Sequence, residues 1–161
     1  MELLDTTLLS NFARIGQLDL LVTILPEAKT TPQVLAELGE GEAAGWLPES
    51  DWEWLGVVTL SASEQAHFEK IREVLGDGEA SCLAVARARN GTIITDDRDA
   101  RRSARRLGVA ISGTLGVLAL LVKRRILTLP EADSVLQAMI KQGYYSPANS
   151  LTDIFDFGDS E

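Results

Sequence analysis

Six acidic residues stand where the punctuation of the sequence ends a strand or fills a helix, and together they could do chemistry. Asp5 closes the short run "ELL", and Asp96, Asp97 and Asp99 follow the β-branched run "TIIT" at 92–95. Glu79 falls in the first turn of a helix predicted from Asp77, and Glu37 lies inside one predicted from Pro32. Other equipment is scarce. The single cysteine, Cys82, allows neither an internal disulfide nor a thiolate cluster, and the single histidine, His67, disfavours histidine-rich zinc sites and a Ser-His-Asp triad. Catalysis on this chain must rest on carboxylates. Acids gathered in one crevice repel one another, and the remedies are raised pKa values or a bound divalent cation. An all-oxygen donor set suits Mg²⁺ or Mn²⁺, and the chemistry that uses such a site is phosphoryl transfer. Directly after the acids comes "RDARRSARRLG", whose Arg98, Arg101, Arg102 and Arg105 are expected to hold a polyanionic backbone.

Every acid also has an uneventful reading. Asp5 could cap the helix that follows it. Glu79 gains roughly 0.3–1 kcal/mol from the macrodipole in a first helical turn with no function at all. Glu37 could face solvent. Asp96 and Asp97 could be cap and first-turn residues, with Asp97 and Asp99 paired to the arginines at helical spacing. No single acid decides between the two.

The elements that must position these groups alternate. "ELLD" reads as a strand, followed by a helix with Thr6 or Thr7 as N-cap; "EAKTT" at 27–31 is a weak strand; Pro32 opens a helix that should stop near Gly39 or Gly41. Residues 42–53 read as an irregular connection and 54–60 as a strand. A helix capped by Ser61 or Ser63 should run to Gly76, and a second, capped by Asp77, to Gly91. "TIIT" is then a buried strand, "RDARRSARRLG" a helix, "VAISG" a strand, and "TLGVLALLVKRR" and "PEADSVLQAMIKQG" helices. Such alternation favours an α/β architecture with a parallel sheet of about five strands covered by helices on both faces. Ligands of such sheets bind beyond the carboxyl ends of the strands, so Asp5 and the Asp96–Asp99 group should meet on one edge although over ninety residues apart.

The totals permit this. At 161 residues the chain fits one domain, drawn here as 1–150 followed by an acidic C-terminal tail, 151–161, expected to be largely unordered. Net charge is −9, yet residues 87–125 hold ten Lys and Arg against three acids, a cationic surface beside an anionic site. No apolar run approaches the roughly 20 residues that cross a bilayer, and Glu2 and Asp5 sit where a signal peptide would be positive, so the expected location is cytoplasmic without membrane contact. Trp46, Trp52 and Trp54, and the apolar helix from 114, are candidates for a homodimer or partner surface, with core packing expected for the helix.

The arrangement resembles the PIN-domain family, which includes VapC-type ribonuclease toxins, and within it an uncharacterised prokaryotic PIN-like subfamily. The matching stretches are "LLDTTLLSNFARIGQLDLL", "TTPQVLAEL", "GDGEASCLAVARARNGTIITDDRDARRSARRLGVAISGTLGVLALLVKRRIL" and, more loosely, "MIKQGYYSP", which span most of residues 3–146. The resemblance implies a three-layer α/β/α sandwich with a central parallel sheet and an Mg²⁺- or Mn²⁺-dependent ribonuclease site. It makes Asp5 the first-strand aspartate and Glu37 the helix glutamate, with Glu79 and Asp97 completing the catalytic set. Asp5, Glu79 and Asp97 then hold the metal, Glu37 ligates or orients the water, and Asp96 substitutes if Asp97 is spent as a cap. Thr6, Thr7, Asn11 and Asp99 are polar support. Glu79 is a departure, because many PIN nucleases carry aspartate there.

Two readings of function follow. One is an endoribonuclease, the toxin of a type II toxin-antitoxin pair, with an RNA substrate and a small antitoxin partner. The other is a non-catalytic module of the same fold that binds RNA or protein. A phosphatase using Asp5 as nucleophile ranks below both, since "DTT" lacks a second aspartate two residues on.

Overall fold

Strand β1 (Glu2–Leu4) forms the middle of a parallel five-stranded sheet in the computed structural model of the chain, which describes residues 1–159. On one side lie β2 (Lys29–Thr30) and β3 (Gly56–Val57), on the other β4 (Thr92–Ile94) and β5 (Ala110–Ser112), giving the order β3-β2-β1-β4-β5. Leu3 is in register with Lys29 and Ile93, and Ile93 with Ile111. Leu3, Leu4, Ile93 and Ile94 are buried, as strands covered on both faces must be. The chain moves outward from β1 through β2 to β3 and then returns to place β4 beside β1. The loops leaving β1 and β4 therefore diverge and open a crevice at their carboxyl ends, the switch point of an open α/β sheet.

Among the described residues nine helices complete the layers: α1 (Thr6–Arg14), α2 (Leu18–Ile24), α3 (Pro32–Ala44), α4 (Ala62–Ile71), α5 (Asp77–Arg89), α6 (Arg98–Leu107), α7 (Thr114–Lys123), α8 (Leu129–Lys141) and α9 (Leu151–Asp159). Helix α5 packs on β1 and β4 and against α3, α4 and α6. Its residues from Ala80 to Ala86 are all buried, so it shows no amphipathic stripe, and its alanines let neighbours approach closely. Helix α7 packs on β5, α2, α8 and α9, burying Val117, Leu118 and Leu121, so its apolar run is largely core.

Local chemistry shifts several expected boundaries. The cap of α1 is Asp5 itself, not Thr6 or Thr7: its carboxylate accepts the Leu8 amide at 3.1 Å. Helix α3 runs past Gly39 and Gly41 to Ala44, where Gly45 takes a left-handed conformation. Gly76, not Asp77, precedes α5, and Asn90 rather than Gly91 ends it. The strand expected over 54–60 shrinks to Gly56–Val57, and just before it Trp52 donates to Glu42 at 2.6 Å. The tail expected to be unordered carries α9; Leu151 is buried and its amide donates to Asp133 at 2.6 Å. Residues 160–161 of that tail lie outside the described residues.

Candidate active site

Asp5 leaves the end of β1 and has no exposed surface. Its carboxylate accepts hydrogen bonds from the Thr7 hydroxyl at 2.8 Å, the Leu8 amide, and the Thr95 hydroxyl. Burial nonetheless pushes its pKa from 3.8 up to about 7 against those three donors, with the Glu79 charge adding to the rise. Across the switch point Asp97 caps α6, with Oδ1 on the Ala100 amide at 2.8 Å, while its own amide donates to Thr95 Oγ1 at 3.1 Å. Thr95 thus links Asp5 to Asp97.

Glu37 and Glu79 come together over the start of α5. The Thr6 hydroxyl donates to Glu37 Oε1 at 2.9 Å, and the Gly76 amide donates to Glu79 Oε2 at 3.1 Å. A methyl group at Gly78 would lie 1.8 Å from Glu37 Oε1, so only glycine lets this carboxylate settle there. Burial raises Glu37, and burial followed by the Asp97 charge raises Glu79 to about 7. None of Asp5, Glu37, Glu79 and Asp97 forms an ion pair with Lys or Arg among the described residues. Four mutually repelling oxygen donors without a cation fit a hard divalent ion in chemistry. Their geometry is looser than the sequence led us to expect. Among the described residues no three acids stand close enough to ligate one ion together, so Asp5, Glu79 and Asp97 share an edge without converging on a point.

Asp96 stands beside Asp97 on the same cavity, but its carboxylate is taken up by a hydrogen-bond network of its own. It accepts from Asn11 Nδ2 at 2.8 Å, from the Thr114 amide at 2.8 Å and from the Thr114 hydroxyl at 2.5 Å, with the Tyr144 hydroxyl at 3.5 Å. It ties α1, α7 and the segment after α8 together, so although Asp97 is spent as a cap, the condition under which Asp96 is expected to replace it, both Asp96 oxygens are engaged while Asp97 uses only Oδ1. Of the expected support, Thr6 serves Glu37, Thr7 serves Asp5, and Asn11 serves Asp96. Asp99 stands in solvent, 3.6 Å from Arg102.

A cavity of about 820 Å³ is lined in part by Asn11, Asp96, Asp97, Arg98, Arg101 and Arg105, while Asp5, Glu37 and Glu79 are not among its lining residues. Arg102 is absent from the lining, and its side chain is 71% exposed. Arg101 is partly structural: its Nη1 donates to the carbonyls of Thr95 at 2.9 Å and Ser112 at 3.2 Å, joining the ends of β4 and β5. Arg98 and Arg105 are the exposed cations of this wall. Sequence reasoning missed Thr95, Thr114 and Tyr144. The signal for Thr95 was present, since a hydroxyl at the last position of a buried strand, just before two acids, has to point at the carboxyl edge.

A family model described as a PIN domain matches residues 1–157. The chain belongs to the PIN-domain family. PIN domains are generally nucleases and typically use divalent metal ions. Among curated proteins none matches the sequence. Among solved structures, the chain is similar to VapBC2 from Rickettsia felis bound to a DNA fragment from their promoter, at 17% identity and a TM-score of 0.49 over 70% of this chain and 97% of that one. The all-parallel central sheet of five strands covered by helices is the architecture the PIN resemblance implies. No helix among the described residues is long and apolar enough to cross a membrane.

Proposed function

We propose that this PIN domain is an endoribonuclease that hydrolyses RNA phosphodiester bonds with Mg²⁺ or Mn²⁺, and that it is the toxin of a toxin-antitoxin pair, cytoplasmic and dimeric. One observation carries the nuclease reading. Four carboxylates without a cationic partner among the described residues lie along the carboxyl edge of the sheet; two of them, Asp5 and Glu79, are held near pKa 7, and a third, Asp97, lines a cavity that also carries arginines. Mg²⁺ binds through one or two carboxylates plus phosphate and water rather than in an all-protein cage, which suits acids that share an edge without converging. When bound, the ion supplies charge neutralisation at the phosphate and an acidified water. Asp5, Glu79 and Asp97 are the residues we assign to hold it, one or two of them directly and the remainder through its bound water; Asp96 is left to its Thr114 and Asn11 network.

The other groups divide the remaining work. Glu37, fixed by Thr6 and raised in pKa, suits proton acceptance from the attacking water. Arg98 and Arg105 offer charge to the backbone, and Arg101 adds its charge while bracing the strands. Purified protein should cleave cellular RNA with either ion and stop when the ion is chelated, and Asp5→Asn and Glu79→Gln should abolish cleavage. Folded protein that cleaves no RNA with either ion refutes the reading. The toxin assignment has its own test: expression should arrest growth, and co-expression of the adjacent open reading frame should relieve it.

A second reading, a non-catalytic binding module, is favoured by one observation. Asp5 and Asp97 already serve as helix caps, so both have a structural use without metal. Titration of Mg²⁺ or Mn²⁺ against thermal stability separates the two, because an ion that binds only the native state raises the midpoint by mass action.

A further inference from the structure

The cavity beside Asp97 has an aromatic lip that neither the carboxylates nor the arginines explain. Tyr145 is 83% exposed, more than any other large hydrophobic side chain of the described residues, with Val74 next at 72%. A lone exposed apolar group is ordinary. Its position is not. Tyr145 lines the same cavity as Asp97, and the Arg98 guanidinium lies over its ring, 5.8 Å from the centroid. Arg98 follows Asp97 directly in the chain and opens α6. A single residue thus connects the ring to a site acid.

The loop that carries Tyr145 is held in place. Gly143, with φ +103°, turns the chain after α8, the Tyr144 amide donates to the Met139 carbonyl at 3.0 Å, and the Ser146 hydroxyl donates to the Ala148 carbonyl at 2.5 Å. Tyr144 packs on the core and approaches Asp96 with its hydroxyl. Of two adjacent tyrosines, then, one anchors the loop and the other keeps its ring in solvent.

We infer that Tyr145, backed by Arg98, is a stacking seat for an unpaired nucleobase next to the phosphate that reaches Asp97. The inference rests on the nuclease reading above and deepens it by naming the side chain that holds a base of the RNA beside the cut. An aromatic face with a cation behind it, open to solvent beside a basic wall, suits a base that has left its stack. Paired bases present their faces to one another and cannot use such a seat without unstacking. Stacking of this kind tolerates any base, so the seat selects strandedness more than sequence.

The test uses the full chain in chelator, where nothing is cut, and follows binding of a short fluorescent single-stranded RNA by anisotropy. Tyr145→Ala should weaken binding by roughly 5- to 100-fold, and Tyr145→Phe should stay within about twofold of wild type. A duplex of the same sequence should bind both proteins alike. Removing one base from the oligomer should cost wild type as much as Tyr145→Ala does and cost the variant nothing more, a coupling that a merely structural tyrosine would not produce. Equal binding by wild type and Tyr145→Ala, or additive losses, overturns the seat. Cleavage with Mn²⁺ then tells the two failures apart. A wild type that cuts single-stranded RNA while Tyr145→Ala binds equally well leaves the nuclease standing without the seat, and one that neither binds nor cuts removes both.

Discussion

Replacing Asp5 by Asn should stabilise the metal-free protein, and the gain should grow with pH. The change is nearly isosteric. Asn Oδ1 can accept from Thr7 and Leu8 as Asp5 does, its amide can donate to Thr95 Oγ1, and the Thr95 hydroxyl can turn to Thr7 Oγ1, 3.4 Å away. What disappears is a fully buried charge. A carboxylate whose folded pKa is raised binds its proton more tightly in the native state, so the native state loses relative stability as pH climbs from the unfolded value to the folded one. For Asp5 that window runs from 3.8 to about 7. At roughly 1.4 kcal/mol per pH unit the full cost approaches about 4 kcal/mol. For a chain of this size that is a midpoint difference of about 8–16 °C at pH 8, falling away near pH 4. Thermal melts of both proteins by circular dichroism from pH 4 to 8 in chelator measure it. Saturating Mn²⁺ at pH 8 should then raise wild type by about 2.7 kcal/mol at a hundred times its dissociation constant, and the variant by less. A difference between the two proteins that does not change with pH, or a variant less stable throughout, refutes the claim that an uncompensated charge is stored under the site.

Two further outcomes follow from the same geometry. Gly78→Ala puts a methyl group 1.8 Å from Glu37 Oε1, the movable end of a side chain, so the fold should survive while the carboxylate is displaced; RNA cleavage should fall by about 100-fold with little change in the melting midpoint. Glu64 is buried and takes Arg89 at 2.8 and 2.9 Å together with the Ser61 amide, which holds its pKa near about 2 instead of 4.5. Glu64→Gln should therefore cost roughly 1.5–3 kcal/mol in urea unfolding at neutral pH. Because a lowered pKa contributes stability above the unfolded value, that deficit should shrink as pH falls from 4.5 through about 2.

Much of the architecture was legible in residue patterns. The runs "ELL" and "TIIT" and the periodic segments between them lead to an all-parallel sheet, because each crossover needs room for a helix. What escaped the sequence is decided by partners far along the chain. Leu151 starts a helix in part because Asp133, eighteen residues earlier, receives its amide. The strand expected at 54–60 keeps only the two residues, Gly56 and Val57, that pair with Lys29 and Thr30 of β2. Of the site, the acids were visible as types and their hydroxyl partners were not. Thr95 reads as one more β-branched strand residue until the register places it between Asp5 and Asp97, and Asp96 looks equivalent to Asp97 until Thr114, more than a turn of chain away, claims it.

The capping roles of these acids are compatible with the chemical role proposed for them. Asp5 caps α1, Asp97 caps α6, and Glu79 accepts an amide at the start of α5. Each is thus stabilised by backbone donors and by the positive end of a helix dipole, worth up to about 1 kcal/mol apiece at an exposed site. Repulsion among acids in a crevice would otherwise push the edge apart, and neutral donors offset it without filling the crevice with lysine or arginine. A cation supplied by the protein would also lower the pKa values and remove the pull on a metal ion. Capping has a geometric advantage as well. Asp97 meets the Ala100 amide through Oδ1 and Glu79 meets the Gly76 amide through Oε2, so in these two the fold engages one oxygen of two, whereas both oxygens of Asp5 accept from Thr7, Leu8 and Thr95. Three short helices aimed at one edge of a parallel sheet therefore serve to hold carboxylates that no side-chain partner neutralises, and the cap positions are where a sequence of this class should be searched first.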